Sequence, residues 1–144
     1  MKESKKTYLD FDEGSVETFS NLKKALKATS GVEPSNREVF LLAMSYGFSH
    51  GAFAASMKRA GNGPRVQYFK PEDQALMAAV QLGHDKSIEN LPDMEKRYEL
   101  AELYAQGGIL LLRAAVSDAI RYGVELAAEI IGLLPPAVKD EIED

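Results

Sequence analysis

A chain of 144 residues, 45% hydrophobic and 27% charged, fits one soluble domain long enough to bury a single core. Having no cysteine, it lacks any disulfide framework, thiolate metal site or thiol nucleophile. A formal net charge of −5 argues against a bulk electrostatic binder of nucleic acid.

The charge is unevenly spread. Residues 1–70 carry 11 Lys/Arg against 7 Asp/Glu, and residues 71–144 carry 6 against 15, balances of +4 and −9. The N-terminal half could therefore meet phosphate while the C-terminal half faces water or a basic partner. The N-terminus has no apolar stretch of the kind a secretory signal needs. The most apolar run, "GGILLLRAAV", is too short to span a bilayer and contains Arg113. A soluble cytoplasmic protein is the expectation.

Along the chain, residues 6–13 alternate weakly, Leu9 and Phe11 to one side and Tyr8, Asp10 and Asp12 to the other, which predicts a short strand. A lone strand needs a partner. Ser15 is placed to cap a first helix, although Thr18 stands where a capping box would have Glu or Gln. Phe19, Leu22 and Leu26 form its apolar stripe, and Gly31 stops it. The second helix has a full capping box, Ser35 with Glu38, ahead of a run from Val39 to Phe48 that is apolar nearly all round. Either the fold wraps such a helix or a second subunit covers it.

Gly61, Gly63 and Pro64 make the main break, with Val66–Phe69 read as a short extended piece. Pro71, followed by Glu72 and Asp73, opens a third helix with Leu76, Met77 and Val80 on its buried face, and Gly83 is the expected end. Asp93 caps the longest helical segment, in which Gly107-Gly108 marks a bend or a close neighbour. A last apolar segment ends at Pro135. The expected fold is all-α: a single domain over 1–144 with one short N-terminal strand, a loop at 61–70, a helical part at 71–134 and an acidic tail at 135–144.

Little here supports catalysis. No nucleophile elbow, P-loop or dinucleotide fingerprint is present, and no cofactor is expected. His50, His84-Asp85 and Asp118 follow the chain order of the ligands in HD metal phosphohydrolases, a set that could hold a divalent ion and activate water. The doublet lacks that family's usual continuation, and each histidine reads equally well as a helix-end residue. Glu99/Glu102 and Glu125/Glu129 have helical spacing and read as solvated faces. Lys23, Lys24 and Lys27 share one side of the first helix, while Lys58, Arg59 and Arg65 flank the central loop. These six are the candidate phosphate contacts.

The first 51 residues, "KKTYLDFDE", "SVETFSNLKKALKATSG" and "SNREVFLLAMSYGFSHG", resemble a ribbon-helix-helix module, whose strands pair across a dimer and enter the major groove. That resemblance implies a repressor or antitoxin. Here Asp10 and Asp12 would face the groove and oppose its phosphates, so the topology suits a reader and the charges do not. Across residues 28–118, "ATSGVEPSNREVFLLAMSYGF", "RVQYFKPEDQALMAAVQL" and "ELAELYAQGGILLLRAAVSD" are similar to the DndE family of small helical proteins in DNA phosphorothioation. The sequence departs from that family at Tyr104–Gly107, where a His- and Arg-bearing stretch is expected. This resemblance implies a non-catalytic, oligomeric accessory protein that binds duplex DNA and partners the sulfur-inserting enzymes. The remaining alternatives are an HD-type hydrolase and an oligomeric protein-interaction scaffold.

Overall fold

The computed structural model describes residues 6–61 and 63–122. The described chain is mainly helical: α1 (Val16–Ser30), α2 (Asn36–Ser49), α3 (Pro71–Asp85) and α4 (Met94–Tyr122), with single 3-10 turns at Glu13–Ser15 and Val66–Tyr68. The apolar segment ending at Pro135, the Glu125/Glu129 pair and the acidic tail lie outside the described residues. No described helix is long and apolar enough to cross a membrane.

The long helix is the axis of the fold. Asp93 caps it by accepting the Lys96 amide at 3.1 Å, and it runs unbroken for 29 residues, about 43 Å at 1.5 Å per residue. It packs against α1, α2 and α3, most extensively α2. Gly107 and Gly108 do not end it; they admit a neighbour. A Cβ on Gly108 would lie 1.8 Å from the Ala43 carbonyl oxygen, and one on Gly47 would lie 2.1 Å from that of Tyr104. The α2 and α4 backbones therefore touch, which only missing side chains permit. Packing within the chain buries Val39, Phe40, Ala43, Met44 and Gly47 of α2. The fold itself wraps the helix that read as apolar all round.

Helix ends follow the sequence except at Ser15, which precedes α1 without a side-chain capping bond, and at Gly83. Ser35 and Glu38 form the full capping box of α2, and Gly31 closes α1 in the left-handed conformation at φ 82°. Gly83 does not end α3. The helix continues to Asp85 and closes on Lys86 at φ 57°. Gly83 lets the Phe48 ring pack against α3, since a Cβ there would lie 2.4 Å from the ring and require it to shift. Val66–Tyr68 is a 3-10 turn rather than an extended piece.

The N-terminal segment differs most from expectation. Leu9 and Phe11 are buried and Tyr8 is exposed, as the alternation requires. Among the described residues no ladder strand forms; two isolated antiparallel bridges, Tyr8 to Arg65 and Asp12 to Arg59, join the segment to the central loop of the same chain. Between the two bridges the loop side of the chain is two residues longer than the N-terminal side, which makes a bulge. The backbone bonds are Val66 N–H to Thr7 (2.9 Å), Leu9 N–H to Pro64 (2.9 Å), Ala60 N–H to Phe11 (3.0 Å) and Glu13 N–H to Lys58 (2.7 Å). A ribbon shared between two subunits would need the partner strand that this loop supplies in cis.

Candidate functional site: a cationic, aromatic cleft

The acidic residues that spoil a groove reader have an internal task. Asp10 Oδ1 accepts the Gly61 amide at 2.9 Å inside the bulge, while Asp12 accepts the Lys58 amide at 2.7 Å and the Gly14 amide at 2.9 Å. Their carboxylates thus satisfy backbone donors where the ladder fails. Behind them sits Glu102, which reads as surface from its spacing with Glu99 but is 1% exposed. One of its oxygens accepts from Arg59 Nη2 at 2.9 Å and lies 3.3 Å from Lys6 Nζ, and the other accepts the Asp10 amide at 2.7 Å. A buried carboxylate is tolerable only when so fully bonded. The Glu102 hydrogen bond is the main reason that Arg59 is held above the usual guanidinium range.

Arg59 is therefore committed to the fold, with Asp10 also 3.6 Å from its Nε. Lys58 lies on the surface 3.5 Å from Glu13, an exposed pair of little energetic weight. Lys24 and Lys27 are exposed on α1. Lys23 and Arg65, from α1 and the central loop, are brought together in one cleft of about 410 Å³ at the start of α2.

That cleft is built from four segments. The in-register pairing of residues 7–9 with 64–66 sets Tyr8 beside Arg65, whose guanidinium carbon lies 5.5 Å from the Tyr8 ring centre. Gly63 belongs to the same wall because its backbone presses on Leu9, where a Cβ would lie 1.6 Å from the carbonyl oxygen. Lys23 donates to Asn36 Oδ1 at 2.9 Å, which ties α1 to the first residue of α2. An ammonium has two further N–H groups to offer. Tyr68, on the 3-10 turn, also lines the cleft and is 59% exposed. Arg37 also lines the cleft, but its charge is matched by Asp73 at 2.7 Å.

No Asp or Glu lines the cleft among the described residues. Glu38 stands just behind it, where the Ser35 amide, then the Ser35 hydroxyl, hold its carboxyl below the usual carboxylate range. The positive end of the α2 dipole adds to Lys23 and Arg65. The arrangement can hold an anion against two cations and present two aromatic rings beside it. Sequence reasoning found Lys23 and Arg65 but missed Tyr68, Asn36 and Arg37 as their companions. The available signal was "SNR" at a capped helix start, together with "RVQY" in a loop.

The metal candidates are dispersed. His50 stacks on Tyr46 at 4.2 Å between ring centres, with Nδ1 2.9 Å from the Tyr46 carbonyl oxygen. His84 Nδ1 lies 2.8 Å from the Tyr104 hydroxyl, Asp85 pairs with Lys96 at 3.2 Å, and Asp118 is exposed on α4. Among the described residues no three His, Asp or Glu side chains group so as to hold a metal ion. No protein-family model, characterised protein or solved structure matches this chain.

Proposed function

We propose that this chain is a non-catalytic, self-associating accessory protein that binds nucleic acid through phosphate contacts from Lys23, Lys24, Lys27 and Arg65. The carrying observation is that Lys23 and Arg65 converge with Tyr8 and Tyr68 in one cleft that no carboxylate lines among the described residues, on a chain of net charge −5. An acidic protein that keeps one such patch favours a local anion contact over bulk attraction. The DndE-like segments support the same reading and extend it to a role beside DNA-modifying enzymes. The proposed contact set leaves out Arg59, which holds Glu102, and Lys58, which lies neither on α1 nor in the cleft lining.

The test is duplex DNA binding across a salt series, with mass measured on the same sample. Each phosphate contact contributes about 0.9 to the slope of log affinity against log salt. Replacing Lys23, Lys24, Lys27 and Arg65 by Ala is expected to flatten that slope and weaken binding together. An unchanged slope and affinity would reject the proposed contacts, and a wild-type protein that ignores DNA at low salt would leave the scaffold alternative.

A further inference from the structure

We infer that the cleft at the start of α2 takes a single unpaired nucleotide, its base stacked on Tyr68 and its phosphate held by Lys23 and Arg65. This rests on the nucleic-acid reading above and narrows it from phosphate contact in general to a strand whose bases are unstacked.

Size argues first. At about 410 Å³ the cleft lies near the lower end of small-ligand sites, roughly 300–1,000 Å³, and so suits one nucleotide-sized group. A base inside a duplex keeps both faces in its own stack and has none to offer a protein ring. Exposure argues next. The chain buries Tyr98, Tyr104, Phe11, Phe19, Phe40 and Phe69, and among the described aromatics that stay exposed Tyr68, at 59%, exceeds Phe53 and Tyr8 and stands at the cleft. An aromatic face beside cations is the common platform for single-stranded nucleic acid.

Preorganisation argues third. Arg65 lies over Tyr8, and the bridge between those residues fixes both backbones. A guanidinium held over a ring face by cation–π attraction still has N–H groups for a phosphate contact. Lys23 is anchored by Asn36 and approaches the cleft from the opposite element. Asn36 has its oxygen occupied by Lys23, so its amide N–H₂ is the one side-chain amide donor among the described lining residues, and it gives little sequence discrimination. Binding should therefore tolerate any base.

The experiment uses the full chain with a fluorescent eight-nucleotide oligodeoxythymidylate and a blunt mixed-sequence duplex, compared at one low salt concentration. The oligonucleotide is expected to bind more tightly per phosphate. Tyr68→Ala should weaken oligonucleotide binding roughly fivefold to a hundredfold, the range of one lost base–aromatic stack, and weaken duplex binding less. Tyr68→Phe should restore it, because the ring and not the hydroxyl makes the stack. Equal or tighter duplex binding, with Tyr68→Ala affecting both probes alike or neither, would overturn the nucleotide inference while leaving the phosphate-contact reading in place. Failure of the wild-type chain to bind either probe would overturn both.

Discussion

The α2–α4 crossing and the clasp of residues 7–13 on the central loop hold the molecule together by opposite means. At the crossing, Gly47 and Gly108 let two backbones meet, and apolar side chains close around them. At the clasp, backbone amides, two aspartates and a buried glutamate satisfy one another around a bulge. The first is close packing, which resists a single added methyl. The second is a hydrogen-bonded charge network whose Arg59 end is 45% exposed, so its parts can rehydrate when it opens. The difference assigns roles: the crossing sets global stability, and the clasp sets the shape of the cleft wall.

The largest effect should come from filling the crossing. Gly108→Ala places a methyl 1.8 Å from the Ala43 carbonyl oxygen, and the helices must part to admit it. A loss of about 3 kcal/mol is expected from overpacking, read as a lower urea midpoint. Gly31→Ala is the control, since nothing lies within 4 Å and only the positive φ of 82° opposes it, at a cost of about 1 kcal/mol. If the two variants lose the same amount, backbone contact is not what holds α2 to α4.

Glu102→Ala breaks the clasp at its centre. Two cations lose their shared carboxylate and the Asp10 amide loses its acceptor. The loss should be about 2 kcal/mol, below the usual figure for a broken buried pair because Arg59 reaches water. Its location tells more than its size. Amide exchange should quicken at Leu9, Ala60 and Val66, which donate across the clasp, while amides of α2 stay protected. Uniform loss of protection would mean that clasp and crossing unfold as one unit.

What the sequence revealed follows the same division. Helix starts were legible because their signals are local: Ser35 with Glu38, Pro71 with its acids, Asp93 before Met94. The burial of Leu9 and Phe11 was legible from alternation. The strand's partner was not, because the Arg59 and Arg65 bridges depend on long-range pairing that no local pattern encodes. Glu102 was misread for a related reason. Its spacing with Glu99 describes one helix face, whereas its burial is decided by Lys6, Asp10 and Arg59 arriving from elsewhere. Gly83 likewise looked like a helix end because glycine serves both uses, and only Phe48 shows which applies. Half of the cleft is visible as cations; Tyr68 stands in a segment whose sequence reads as extended but which folds as a 3-10 turn and turns it to the cleft.

The smallest effect concerns Glu38, which connects helix capping with the cleft. Its carboxyl is held low in the folded chain by the Ser35 amide, so it titrates below its ordinary value of 4.5. A depressed carboxylate contributes stability above its unfolded value and loses it as pH falls through the folded one. Glu38→Gln keeps a capping acceptor but not the charge, and should cost about 0.5 kcal/mol at neutral pH. That gap to wild type should close as the pH falls below the folded value, where wild-type Glu38 is itself neutral. Binding should move the other way. Glu38 bonds Ser35, which lines the cleft, so its negative charge opposes the Lys23 and Arg65 field there. Glu38→Gln should therefore hold the oligonucleotide slightly more tightly while folding slightly less stably. Weaker binding in that variant would show that the helix start serves the ligand through its geometry rather than its field.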